Sequence, residues 1–549
     1  MNVILYNGRI YPQTPMRRRP SVVVLSGNAV AAVGHDPADM KRRFPRHRPV
    51  NLEGRAVIPG LVDSHTHLYF WAISLGAVHL DGIIDFSEAL AKIGAFAGNL
   101  GSSDWVFGDG WSADRWRGYH LPTAAELDQV TGGRPAALFS KDQHILWVNS
   151  KALALAGINR ATPDPAGGRI DRDPVTGEPT GILREIPGYF PVIKLVSRPD
   201  LQRIMKAWRE ATRIAHSRGV TGFHSMDGPE AWEFFTLMQS QKKLGFRVHY
   251  YFPVSKLDDL IAKRLVSGHG DRTLQVGGVK IFADGSLGAQ TALMHKPYLG
   301  GRKGRGIETT ALEDLIAYVG QASRHRLACA VHAIGDRAVG NVITAFEKAG
   351  REFPLRHRIE HLQLISRGDV MRLRKTGVIA SMQPSHCPSD RALVAAYWGP
   401  RGRNAFIFKT LLKRGIPLAF GSDCPIEPLD PLAGIHAAVN RTGCGQRGGR
   451  FYPEECLSVG EAVAGFTLGP AFASGRESFS GRIVPGYQAD LSSWMTTFIP
   501  CPSLRYIRQA YRRPFSRAGL SIVAVQPPMD SEIFSCPFWP ISLCRTIGY

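Results

Sequence analysis

Eight short apolar segments recur along the middle of the chain, separated by helix-like runs, and this rhythm limits the folds available. They are AVIPGLVD (56–63), GVTGFHSM (219–226), FRVHYYF (246–252), GGVKIFADG (277–285), LACAVHAIGD (327–336), RHRIEHLQL (356–364), GVIASMQPS (377–385) and PLAFGSDCP (417–425). Between them lie amphipathic stretches such as AWREATRIAHSRG and TALEDLIAYVGQASRHR. Strands alternating with helices predict parallel βα units of the α/β class, and eight such units close a (β/α)8 TIM barrel, here over 61–475. The stretch from the first strand to the second is far too long for an ordinary connection. Residues 70–205 therefore read as a long insertion, partly structured, with a turn-rich portion DPAGGRIDRDPVTGEPTG (164–181). Residues 1–60 carry VILYNGRIY, SVVVLSGNAVAAVG and GRAVIPG, which read as short strands joined by glycine-bearing turns, a small β unit ahead of the barrel.

Composition removes several function classes. Hydrophobic residues make up 44% of the 549 and charged residues 21%, enough for a large core. The formal charge is +21, from 67 Lys and Arg against 46 Asp and Glu. The basic residues are dispersed, runs such as Arg17-Arg18-Arg19 are short, and no nucleic-acid-binding motif accompanies them, so no nucleic-acid partner is expected. No apolar run approaches the length of about 18 residues that a membrane span needs, so no membrane association is expected. MNVILYNGRIY lacks the charged and apolar regions of a secretory signal. Eight cysteines without a CxxC pair fit a reducing compartment, and the expected location is cytoplasmic. The glycine pattern at 443–448 neither follows a strand nor opens a helix and reads as a loop, and neither a Walker A nor a GxSxG motif occurs.

The chemistry gathers at the strand ends. His65 and His67 in VIPGLVDSHTHL are two residues apart, which puts both side chains on one face of a strand. At the C-terminal mouth of a barrel, that face presents two imidazoles to one metal ion. Four further strands end in metal-compatible groups: Lys280 in GGVKIFADGS, His332 in AVHAIGD, His361 in RIEHLQ and Asp423 in AFGSDCP. Five strand ends converging on such residues predict a metal site. Asp63 and Asp336 are candidates for orienting the imidazoles. Trp111, Trp116 and Tyr119 in the insertion could line an apolar pocket or pack in a core.

The order His-x-His, Lys, His, His, Asp resembles the amidohydrolase superfamily. The segments LPTAAELDQV, HILWVNSKALALAGI, DPAGGRIDRD, GEPTGILRE, VKIFADGSLGAQTA, VHAIGDRAV, RIEHLQ and GSDCPIEPLDPL are similar to its type-3 branch, which includes N-substituted formamide deformylase. The resemblance implies a distorted barrel plus a small β-sandwich built from both chain termini. It implies that His65, His67 and Asp423 bind one metal, that His332 and His361 bind a second, and that an N-carboxylated Lys280 bridges them. One or two divalent ions per chain follow, with zinc the default for His-rich ligation and iron, manganese or cobalt as alternatives. Asp423, Lys280 and His361 form the implied catalytic set, with Asp423 moving the proton of the attacking water. His144 in KDQHILWVNS, Asn149 and His386 in QPSHCP match family positions that would face a substrate, with a structural role as the equal alternative for each. An unmodified Lys280 in an ion pair is the alternative for that residue. The implied activity is hydrolysis of a carbon–nitrogen bond other than a peptide bond, in an amide or an N-substituted formamide. A deaminase or carbamate hydrolase on the same scaffold and an inactive metal-binding pseudoenzyme are the alternatives. The expected partner is a small amide-type substrate, and a homo-oligomer is open.

The resemblance stops at Asp490-Leu491. Residues 476–491 read as the start of the C-terminal sandwich part, and 492–549 as an aberrant tail that would not supply the expected strands. A one-base shift with permissible codons restores the family's ending over 492–524, a hypothesis that sequencing the coding DNA tests: codons incompatible with the shift would dismiss it.

Overall fold

The computed structural model describes residues 2–494 apart from 16–17, 102–103, 119–120, 197–200, 301–303, 351–352 and 444–448. Tyr119, the loop at 444–448 and the tail from 495 onward lie outside the described residues.

The eight expected strands form one parallel sheet in sequence order: β1 (Leu61–Thr66), β2 (Val220–Ser225), β3 (Arg247–Pro253), β4 (Leu274–Phe282), β5 (Ala328–Ala333), β6 (Arg358–His361), β7 (Ile379–Met382) and β8 (Leu418–Phe420). Helices such as Leu201–Ser217, Leu312–Arg324 and Asp336–Ala349 pack their apolar faces on its outside. This is a nearly closed (β/α)8 barrel. β5 shows why the sequence folds so: Cys329, Val331 and Ala333 alternate toward the helices within the main core, while Ala330 joins Met226 and Tyr251 in a separate small interior cluster.

The first and last strands meet without a continuous ladder. Side chain and loop stitch this seam instead. The Asp63 carboxylate accepts hydrogen bonds from the Ser422 amide (3.0 Å), the Ser422 hydroxyl (2.5 Å) and the His65 amide (3.1 Å). The Asp423 amide donates to the His65 carbonyl at 2.7 Å, and the His67 amide to the Cys424 carbonyl at 2.8 Å.

β4 contains a bulge with a direct effect on the site. Leu274 and Val276 face the outer core, and so do Val279 and Ile281, so the side-chain parity switches between 276 and 279. The register against β3 shifts at the same place. Gly278 has φ 151°, and a Cβ there would lie 1.9 Å from the Ala328 carbonyl oxygen, so only glycine fits. The switch turns Lys280 toward the barrel interior.

The insertion is more ordered than its turn-rich sequence suggests. It holds a six-stranded sheet in the order Arg169–Arg172, Pro179–Arg184, Ile145–Val148, Ala136–Ser140, Val106–Trp111, Val78–His79, with apolar clusters on its two faces. At the other end of the molecule, a four-stranded and a three-stranded sheet share a core of Val3, Leu5, Val23, Leu25, Val57, Ile483 and Leu491. The three-stranded sheet includes Leu491–Trp494, antiparallel to Ala56–Pro59. Contrary to the expectation that nothing after 491 supplies a strand, Ser492, Ser493 and Trp494 complete this one. Their alternation is weakly apolar, yet Ser492 reaches the Gly219 carbonyl at 2.8 Å. Among the described residues, no helix is long and apolar enough to cross a membrane.

Candidate metal centre and substrate cavity

The strand ends bring one potential ligand atom each from His65, His361 and Asp423 within 4.8 Å of one another, all three residues buried. Asp423 is the centre of the group. Its Oδ1 lies 3.4 Å from both His65 Nε2 and His67 Nε2, and its Oδ2 lies 3.8 Å from both His361 Nδ1 and His386 Nε2. His361 and Asp423 reach inward through left-handed backbone, with φ 68° and 62°. Such conformations are uncommon for residues other than glycine and concentrate where a site dictates the geometry. His332 stands beside His361 with ring centroids 4.5 Å apart. Its Nε2 faces the Gly285 carbonyl at 3.1 Å and Asp284 at 3.6 Å.

The protonation states suit a cation. Burial, reinforced by the nearby Lys280, lowers the His65 pKa to about 4. Burial likewise pushes His332 and His361 well below the ordinary histidine value. These rings are neutral at physiological pH, as metal ligation requires. Burial opposes ionisation of Asp423, but the surrounding imidazoles outweigh it and hold the carboxyl below its usual range. His361 Nδ1 and His386 Nε2 are buried with no hydrogen-bond partner, the condition of atoms that await one.

The orienting carboxylate is neither of the two anticipated. Asp63 closes the barrel seam, and Asp336 accepts the backbone amide of His295 at 2.9 Å. Instead, Glu360 Oε2 pairs with His65 Nδ1 at 2.5 Å and leaves Nε2 for Asp423 and the centre. Glu360 is itself gripped by Arg358, fully buried in the barrel, which also donates to the Ser64 carbonyl, to Ser381 Oγ (2.6 Å) and to His224 Nδ1 (2.8 Å). Strict alternation would set Glu360 and His361 on opposite faces. The left-handed turn at His361 brings both to the centre.

Lys280 is 4% exposed, with its Nζ 4.9 Å from the Phe282 ring centroid. Among the described residues it has no carboxylate within ion-pair distance. Burial lowers its pKa to about 8, against the opposing pull of Glu360 and Asp423.

A cavity of about 280 Å³ opens over this group, between barrel and insertion. Leu121, Ile145, Leu287, Leu393 and Ile426 give it apolar walls; Arg115, Lys141, Asp142, Asp390 and Glu427 add charge. Sequence reading missed all five charged residues because nothing in their spacing marks a shared pocket. His144 and His386 line the cavity. Burial resists a charge on His144, yet Glu185 at 2.7 Å overcomes it and raises the pKa to about 9. Asn149 is a correction: it does not reach the cavity. Its Oδ1 accepts the amides of Ala136 and Ala152, and its Nδ2 donates to Thr131 and Arg134, so it caps the helix Ser150–Leu155 with its bonds satisfied. Trp111 lines the cavity, whereas Trp116 stacks behind it in the insertion's core.

Comparison with known proteins agrees with this architecture. An amidohydrolase family model matches residues 48–497. The Bacillus subtilis protein YtcJ, named as an amidohydrolase, is 32% identical over 501 residues, covering 90% of this chain and 94% of its own. The N-substituted formamide deformylase of Arthrobacter pascens is 26% identical, covering 85% of this chain and 89% of its own. A crystal structure of an uncharacterized metal-dependent hydrolase from Pyrococcus horikoshii superposes with a TM-score of 0.74 at 29% identity, over 90% of this chain and 98% of that one. With the family model matched over residues 48–497 and a 32%-identical relative covering 90% of its length, the chain belongs to the amidohydrolase family, in its type-3 branch.

Proposed function

We propose that the protein hydrolyses a carbon–nitrogen bond, in an amide or an N-substituted formamide, with one or two divalent ions, zinc by default, at the strand ends. The observation that carries this reading is the buried Asp423 carboxylate, 3.4–3.8 Å from the His65, His67, His361 and His386 imidazoles at the floor of a cavity. The residues present fit a metal: donor atoms converge within 4.8 Å and His361 Nδ1 is buried without a partner. His65, His67 and Asp423 would hold one ion and His332 and His361 a second, with N-carboxylated Lys280 between them. Carboxylation needs the free amine, which attacks carbon dioxide and releases a proton; the lowered Lys280 pKa makes that amine accessible. When bound, the metal supplies positive charge that acidifies water and polarises a carbonyl.

The chain's own residues supply the rest. Asp423 accepts a proton from the attacking water as oxygen bonds to the carbonyl carbon. It then returns that proton to the nitrogen as the carbon–nitrogen bond breaks, giving an acid and an amine. His144, charged at neutral pH and facing the cavity, donates to a substrate oxygen. The apolar walls receive the acyl or amine substituent and exclude water from it.

The test is a panel of N-formyl amines, N-acyl amino acids and carbamates, assayed for both products. Release of amine with formate or another acid, abolished by Asp423→Asn, supports the reading. Release of ammonia from an amidine-type substrate alone would assign deamination instead, and silence across the panel would contradict the amide assignment.

A further inference from the structure

The opposite end of the barrel encloses a second cavity, about 30 Å³ in volume, lined by the starts of β1, β2 and β3 and by residues 470–490. This is room for a water or two, or one halide. Its walls carry more positive charge than they offset. Arg247 is spent on Asp490, which it grips through both Nε and Nη2. Arg476, 6% exposed, has no such partner: its Nε donates to Gln275 Oε1 at 3.0 Å and its Nη2 to the Asp271 carbonyl at 3.4 Å. Among the described residues, no carboxylate lies within ion-pair distance of it. Burial, aided by Arg247 and only partly offset by Asp271 and Asp490, pulls its pKa down to about 10.

Other groups in the same walls are also unsatisfied. Gln488 is 5% exposed and neither atom of its amide has a hydrogen-bond partner; His249 Nδ1 has none either. His224 Nδ1 accepts a hydrogen bond from Arg358 Nη1 at 2.8 Å. A guanidinium keeps its protons, so the neutral His224 ring must carry its own hydrogen on Nε2 and act there as a donor.

We propose that this cavity binds one small monovalent anion of the halide class, held by Arg476 and by the donor groups of Gln488 and His224. A water molecule would leave the guanidinium charge without a paired counter-charge, whereas a halide supplies that charge and accepts from the guanidinium and from the Gln488 Nε2 group. The site is separate from the candidate metal centre, and hydrogen bonds through His224, Arg358 and Glu360 link it to His65.

Crystals of the full chain soaked in bromide test this by anomalous diffraction. A bromine peak within reach of Arg476 and Gln488 is expected; water density without anomalous signal would overturn the proposal. In solution, the metal-loaded protein should melt about 2 °C higher in sodium bromide than in sodium gluconate of equal ionic strength. Arg476→Met should abolish that increment. Should this variant not fold, Gln488→Leu, which retains the charge, should weaken it. Equal halide responses in parent and variants, or no halide response in the parent, would refute the site.

Discussion

Glu360 decides which nitrogen of His65 faces the centre. With Nδ1 held at 2.5 Å by the carboxylate, Nε2 is the free donor atom, 3.4 Å from Asp423. Removing such a carboxylate typically costs 10–100-fold in metal affinity. Glu360→Ala should show a loss of that size in chelator competition, while wild-type affinity would mean that the ring is fixed by other contacts. His144 gives a pH signature. Its folded pKa of about 9 exceeds its ordinary value of 6.5, so the His144–Glu185 pair contributes its full stability below about pH 6.5. That contribution, about 3–4 kcal/mol, is lost as pH rises through 9. Thermal melts of the parent should therefore decline more steeply from pH 7 to 10 than those of His144→Gln; parallel declines would disprove the pairing. The ligand-type residues were legible because a lone His, Lys or Asp at a strand end stands out against an apolar run. Glu360 was not, because strand parity points it away from His361 and the left-handed turn has no sequence mark. Asn149 misled because WVNS reads equally well as a pocket wall and as a helix cap.

At the scale of the element, the β4 bulge sets the orientation of Lys280. Its sequence, GGVK, looks like a flexible start to a strand, yet the paired glycines change the parity of everything after them. Gly278→Ala would drive a methyl group into the Ala328 carbonyl. The variant should either lose several degrees in Tm or straighten the strand and turn Lys280 out of the interior. In both cases metal content should fall; a variant with parental Tm and metal content would show that the bulge is dispensable. The insertion's strands escaped sequence reading for a different reason. AALFS and ILWV are four or five residues long, and runs that short do not separate strand from buried helix or loop. Only pairing within a sheet makes them strands.

The whole molecule depends on a closure that the ladder does not provide. Asp63 spans the seam between β1 and β8, fixing the Ser422–Asp423 turn against His65. Asp63→Ala leaves three buried donors unpaired, at about 1–3 kcal/mol each. Tm and metal occupancy should drop together; a fall in Tm with full occupancy would separate the seam from the site. The eight-strand rhythm and its converging histidines were visible from the chain alone, because hydrophobic period and strand order decide a barrel. The seam was not, because it rests on contacts between residues more than three hundred positions apart.

On the proposed function, the barrel's strand ends hold a catalytic metal. The most direct measurement is metal content per chain in the purified protein, beside a His65→Ala/His67→Ala control. One or two equivalents of a divalent ion are expected in the parent, with loss of at least one in the control. A parent purified without chelator that is folded but binds no divalent ion, even after reconstitution, would contradict it.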